Sequence, residues 1–177
     1  MAEMTLAQSV ANIAAMKSEI LLSLWQTLIM VGLSTLFATL FGTILGICLY
    51  VSANPQLMPN RLVNAIAENT VNILRAFPFV ILMIALIPLT RFIVGTTIGP
   101  VAASLILTVS GTFYFARLVE QNLREVPRGI IEAATAMGAK PGTIIIKVLL
   151  NEARAGMVSS ITVLAIGLLS YSAAAGM

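Results

Sequence analysis

The residue types that carry most enzymatic chemistry are scarce in this chain. It contains no histidine, its seven acidic residues are all glutamates, and Cys48 is its one cysteine. An intramembrane protease needs a Ser–His pair or two aspartates, so both kinds are excluded. One cysteine gives no disulfide framework and no paired metal ligands, and we interpret Cys48 as a residue that packs against lipid or a neighbouring helix.

The composition indicates a membrane protein. Of the 177 residues, 59% are hydrophobic and 10% are charged, and the mean hydropathy is +1.00. Apolar runs longer than about 18 residues predict helices that span a bilayer. The length fits one domain. The ten Lys and Arg residues are scattered rather than grouped into a basic stripe, so we attribute them to membrane topology and expect no binding of nucleic acid.

The first apolar interval, residues 20–60, is too long for a single span. Turn-forming residues at 52–55 and Pro59 break it, so the first span is predicted over residues 21–51. Its length excludes a secretory signal peptide, whose apolar core has about 7–15 residues. Residues 1–19 are assigned to an extracytoplasmic N-terminal segment, either a short interfacial helix or unordered chain, and residues 20–177 to the transmembrane domain.

The second span is predicted to contain kinks. Only 15 residues separate Arg75 from Arg91, which at about 1.5 Å per residue is shorter than a hydrocarbon core of about 30 Å. The helix is therefore expected to begin near Ala67 and to bend at Pro78 and Pro88.

Glu68 and Arg75 are seven positions apart and are expected to share one face of that helix. Charges at membrane depth face a bundle interior or a water-filled cavity, or extend from the helix ends toward the headgroups. Two interpretations stay open: both side chains lie in the cytoplasmic headgroup zone, or they form a polar seam near the cytoplasmic mouth of a pathway. With Pro78 and Pro88 they are the candidate pathway or packing residues.

Two more spans follow a turn at residues 95–100. The third is predicted over residues 101–116 and the fourth over residues 156–174, and both contain small and weakly polar residues typical of close helix packing in lipid. Their hydroxyl groups either pack between helices or face a substrate. The chain is therefore predicted to be an all-α polytopic bundle with about four spans.

The positive-inside rule orients these spans. Residues 52–75 and 117–155 hold eight of the ten basic residues, whereas the opposite side holds Lys17 and Arg91. We therefore expect the N-terminus outside and the long polar loop, residues 117–155, in the cytoplasm.

That loop is predicted to form two helices. Pro127 suits the first turn of a helix over residues 128–137, and Gly138 suits the left-handed position that ends it. Pro141 then begins the next helix.

The first loop helix is predicted to present a face of mostly small side chains. Such a face fits a groove on another protein. The alternative is an amphipathic helix on the bilayer surface, which alanine would anchor weakly because it buries little area. The residues of this face, spaced i, i+3, i+4, i+7, are Ile130, Ala133, Ala134 and Met137.

The same helix carries Glu132, Ala133 and Ala134, followed after three further residues by Gly138. This pattern resembles the loop of the membrane subunits of binding-protein-dependent ABC importers, where it marks the cytoplasmic helix that docks on an ATPase. The resemblance implies a transporter subunit that is not itself an enzyme and has no cofactor. It also implies the following ATPase-coupling residues: Glu132, Ala133, Ala134, Gly138 and Ala139.

Two further runs, residues 72–82 and 87–99, narrow the resemblance. They read NILRAFPFVIL and IPLTRFIVGTTIG and look like the second-span region of the methionine ABC importer permeases. The resemblance covers residues 20–174. It implies a type I permease fold with five spans, a homodimer among the lipids of a bacterial cytoplasmic membrane, an ATPase partner and an extracytoplasmic methionine-binding protein.

The chain departs from this family at its last predicted span. The family's LPEALPG is LNEARAG at residues 150–156, so prolines are absent at Asn151 and Ala155, and a helix begun at Pro141 is expected to continue toward Gly156. The sequence ends where the family continues into a fifth span. Three hypotheses stay open: a methionine permease, a permease for another small amino acid, and a truncated or diverged relic that is a membrane scaffold without transport.

Overall fold

The computed structural model describes residues 16–175, which fold into six helices joined by short turns. The predicted all-α class is confirmed. Residues 1–15, most of the predicted N-terminal segment, lie outside the described range. The helices are α1 (Lys17–Ala53), α2 (Arg61–Ala76), α3 (Phe79–Val94), α4 (Pro100–Glu125), α5 (Arg128–Ala136) and α6 (Pro141–Ala175).

Within residues 16–175, three single helices are long and apolar enough to cross a membrane, namely α1, α4 and α6. They contain the first, third and fourth predicted spans. Near its start α6 includes a π-helical segment, Ile144–Leu149, and it continues as an α-helix over Leu150–Ala175. The expected helix past Asn151 and Ala155 is therefore present.

The second predicted span is two helices rather than one kinked helix. The directions of α2 and α3 differ by 111°. Phe77, between them, is extended with ψ 130°, because the residue before a proline is kept out of the helical region. The prediction of a helix that begins near Ala67 and bends at Pro78 is therefore wrong: α2 begins at Arg61 and the chain breaks at Pro78. Pro88 lies inside α3.

α1 and α4 pack closely and run in the same direction. Ser34 donates a hydrogen bond to the Ser104 carbonyl at 3.0 Å. Further along both helices, Gly46 lies against the Ala116 carbonyl. Two parallel spans require the chain to return between them, so the α2–α3 pair crosses the bilayer as a broken span and not as a re-entrant loop. The described residues therefore make the four predicted crossings.

Small residues at every fourth position of α1 allow this close approach. A Cβ built on Gly46 would lie 2.6 Å from the Ala116 carbonyl oxygen, and one built on Gly42 would lie 2.9 Å from that of Thr112. Small residues are typical of helix association in lipid, where burying apolar surface gives little net gain. Its four-residue spacing is visible in the sequence, although this face was not among the predicted features. The buried residues of the face are Ser34, Ala38, Gly42 and Gly46.

α6 packs against α4 in the opposite direction. Leu164 lies against Gly111 near the middle of α4, whereas Ser160, earlier in α6, meets Asn122, later in α4. The core therefore lies between α1, α4 and α6. The outer surfaces of α1 and α3 carry exposed Leu, Ile and Phe side chains, as expected for contact with lipid.

Candidate functional site

The loop helix α5 lies beside the turn that follows α1. Gln56 in that turn donates from its amide Nε2 to the Glu132 carboxylate at 3.4 Å. The two sequence intervals that hold most of the basic residues therefore meet at one end of the bundle. We call this end the polar end.

α5 ends as its sequence predicts. Gly138 has a φ of 79°, and its N–H donates to the Thr135 carbonyl at 2.9 Å, while the Ala139 N–H donates to the Ala134 carbonyl at 3.1 Å. These are the paired bonds of a Schellman motif, and a residue with a Cβ is strained at such a φ. Pro127 is extended, with ψ 131°, and directly precedes the helix rather than occupying its first turn.

The inner face of α5 belongs to the protein core. Ile131 is fully buried and Ala134 is only 4% exposed, because both belong to the core cluster that contains Ile144 and Leu149 at the start of α6. Ala134 was predicted to lie on the docking face. That part of the prediction is wrong, since the side chain points into its own subunit.

The outer face of α5 has the predicted spacing, shifted by one position. The exposed face begins at Gly129 and not at Ile130, because Ile130 is half-buried. Glu132 and Ala133 are exposed as expected, and Ala139 is half-buried just beyond the helix. The face combines small side chains, one carboxylate and one flexible thioether. Its exposed residues are Gly129, Glu132, Ala133, Ala136 and Met137.

A cleft of about 500 Å³ opens beside this face, between the turn after α1, the end of α4 and α5. Its wall contains Arg124 and Arg128 as well as Glu132. The polar end therefore offers charges of both signs next to the small side chains of α5.

A network of charged side chains joins α2 to α4. Glu120 of α4 is 4% exposed and accepts hydrogen bonds from Arg117 and Arg124. Arg117 also donates to Asn72 at 2.6 Å and to Glu68 at 3.4 Å, both on α2. The buried Glu120 carboxylate is thus paired within α4, where an unpaired charge would be costly, and the bonds from Arg117 hold α2 against α4.

Glu68 and Arg75 share one face of α2, as predicted, and that face is turned toward α4. Glu68 joins the network just described, and the Arg75 guanidinium carbon lies 5.7 Å from the ring centroid of Tyr114, a cation–π contact. Both charges therefore have protein partners. The two candidate prolines, Pro78 and Pro88, are exposed at the break and within α3, and the structure does not bring them into this cluster.

Most of the chain matches a family of transport proteins. Residues 38–177 match the family described as binding-protein-dependent transport system inner membrane component. The chain belongs to this family. The match includes α2 to α6 and therefore the loop helix whose sequence pattern first suggested the resemblance.

Relatives within this transport-system family are permease proteins. The D-methionine transport system permease protein MetI of Yersinia pestis is 45% identical over 152 residues, which cover 86% of this chain and 70% of the relative. The probable D-methionine transport system permease protein MetI of Vibrio cholerae is 43% identical and covers 95% and 75%. The methionine import system permease protein MetP of Bacillus subtilis is 47% identical over 128 residues, covering 72% and 58%.

Two solved structures of transporters share the fold. A chain of the inward-facing MetNI methionine ABC transporter superimposes with a TM-score of 0.87 at 43% identity, covering 90% of this chain and 74% of that one. An amino acid ABC transporter solved with histidines gives a TM-score of 0.66 at 18% identity, which supports the fold alone.

Proposed function

We propose that the chain is the permease subunit of an ATP-binding cassette importer that moves methionine across the bacterial cytoplasmic membrane. The observation that carries this proposal is the 43% identity to the MetNI chain at a TM-score of 0.87. Relatives named as methionine permeases from three organisms support it. The chain is not an enzyme, because ATP is hydrolysed on a separate subunit.

The function requires three kinds of protein partner. A second copy of the chain completes a homodimer, an ATPase subunit binds each copy, and an extracytoplasmic binding protein delivers methionine. The outer face of α5 suits the ATPase, because Gly129, Ala133 and Ala136 permit close approach of a partner. ATP is cytoplasmic, so this assignment places the polar end inside and the N-terminus outside, in agreement with the basic residues.

The coupling residues have different roles in this proposal. Glu132 and Ala133 contact the ATPase directly, whereas Ala134 holds α5 against α6 from within. Gly138 sets the direction in which the chain leaves the helix, and the Ala139 N–H completes the helix end. Glu68 and Arg75 hold α2 on α4 at the cytoplasmic side, which keeps the broken span in place.

Uptake into proteoliposomes tests the proposal. The vesicles contain the chain with its ATPase subunit, the binding protein is added outside, and ATP is enclosed. Radiolabelled L-methionine should accumulate only with all three components and with hydrolysable ATP, and competition by D-methionine measures the stereospecificity. Accumulation of another small amino acid but not methionine would reassign the substrate. Complex assembly and ATP hydrolysis without uptake of any amino acid would indicate a non-transporting scaffold.

A further inference from the structure

One polar contact joins two spans close to the loop helix. The Asn122 side-chain amide on α4 donates to the Ser160 hydroxyl on α6 at 2.8 Å. Ser160 is only 8% exposed, so its hydroxyl is satisfied by a protein group rather than by water. Neither residue stands out in the sequence, because nothing in the order of the chain shows that they meet.

Gly156 makes this contact sterically possible. It lies about one helical turn before Ser160, on the same face of α6. A Cβ built on Gly156 would lie 2.5 Å from the Asn122 Oδ1 and 3.0 Å from its Cγ. Any larger residue at position 156 would therefore push the Asn122 side chain away from Ser160.

The contact lies where α5 is attached to the membrane spans. Asn122 is in the last turn of α4, and α5 begins just after that helix ends. On the other side, α6 begins shortly after Gly138 and contains Gly156 within the same continuous helix. The inner face of α5 packs on the π-helical segment of α6. The helices before and after α5, namely α4 and α6, are therefore also joined to each other by the contact between Asn122 and Ser160.

We propose that Asn122, Gly156 and Ser160 form an interhelical clamp that makes the polar ends of α4 and α6 move as one body with α5. They are positioning residues, and the inference rests on the proposed function. α6 is one helix from Pro141 to Ala175 and has no break between α5 and the clamp. A displacement of α5 is therefore passed to both spans together.

The clamp is tested in the complex with the ATPase, reconstituted in proteoliposomes. Asn122→Ala and Ser160→Ala each remove the hydrogen bond. Loss of a buried interhelical hydrogen bond should lower the methionine transported per ATP hydrolysed by about three- to tenfold, with ATP hydrolysis retained. Ser159→Ala is the matched control, because that exposed hydroxyl donates to the Ala155 carbonyl of its own helix.

The glycine is tested by a second matched pair. Gly156→Ala should lower the same ratio, whereas Gly167→Ala, also on α6 but with open space around its Cβ position, should not. The double variant Asn122→Ala/Gly156→Ala should be no worse than Asn122→Ala, because the obstructed side chain is gone. Ser160→Thr keeps the hydroxyl and should preserve the ratio.

A merely structural role would give a different pattern. The variants would then lower the yield and the melting temperature, but the protein that remains would transport with an unchanged ratio. That outcome overturns the clamp. Additive losses in the double variant would also overturn the role assigned to Gly156.

A distance measurement separates this inference from the proposed function. Spin labels at Gln121→Cys and Ala155→Cys, both exposed, report the separation of α4 and α6 in a Cys48→Ala background. The distance should be the same with and without ATP in the clamped complex and should vary with nucleotide in Asn122→Ala. If the distance between the labels varies equally with nucleotide in both proteins, the clamp is overturned. This measurement does not depend on methionine uptake, so it holds even where uptake fails and the substrate must be reassigned.

Discussion

At the scale of single residues, Gly138 determines how α5 ends. Gly138→Val would place a β-branched residue at a φ of 79°, at a cost of about 1 kcal/mol or more, and would change the direction of the helix end. We expect less ATPase to co-purify with this variant and uptake to fall. Gly142→Val is the control, because that exposed glycine has open space around it and no left-handed backbone. Unchanged co-purification and normal coupling of Gly138→Val would contradict the proposed role.

The end of α5 could be predicted from the sequence, but its rotation could not. A glycine before a new helix start is a local signal, because the Schellman bonds of Gly138 and Ala139 close within the six residues 134–139. The burial of Ala134 depends instead on Ile144 and Leu149, which come from the next helix. Because α5 is short and has apolar residues on two sides, its contacts with α6 determine which side is buried.

At the scale of elements, the rotation of α5 gives a paired prediction. Ala133→Lys adds a charge on the exposed face and should weaken ATPase binding while leaving the melting temperature of the permease unchanged. Ala134→Lys should lower the melting temperature, because it buries an unpaired charge. Co-purification and thermal unfolding in detergent measure the two effects. The opposite pattern would restore the face predicted from the sequence.

The packing of α1 on α4 gives a second element-scale prediction. Gly46→Ala should destabilise the protein by about 1–3 kcal/mol, because its Cβ has no room against α4 and the backbones must separate. Gly32→Ala, on the same helix but with open space around its Cβ position, should be neutral or slightly stabilising, since alanine favours helix. Thermal unfolding of both variants checks this. Equal melting temperatures would show that the close approach is not needed.

At the scale of the whole molecule, the apolar runs predict the number of crossings but not the path of the second one. The short interval between Arg75 and Arg91 predicts that residues before Arg75 belong to the second span. This prediction is correct, because α2 and α3 together return the chain across the bilayer between α1 and α4. The sequence predicts a kink at Pro78, because proline shows that a helix is interrupted but not by what angle the chain turns. Tertiary contacts that no local pattern contains position α2, among them the bonds from Arg117 to Glu68 and Asn72.

The crossing pattern itself predicts the side on which each turn lies. In a Cys48→Ala background, Thr96→Cys should react with a membrane-impermeant maleimide in intact cells, and Thr143→Cys only after permeabilisation. α4 leads from the turn that contains Thr96 to the α5 end, and α6 packs against it in the opposite direction. Thr96 and Thr143 therefore lie at opposite ends of the bundle, and the basic residues assign the α5 end to the cytoplasm. Gln56→Cys is the internal control, because Gln56 contacts Glu132 and should label together with Thr143→Cys. Labelling of Thr96→Cys from the same side as Gln56→Cys would mean that α2 and α3 do not together cross the membrane. Reversed labelling would leave the four crossings intact and overturn the orientation inferred from charge.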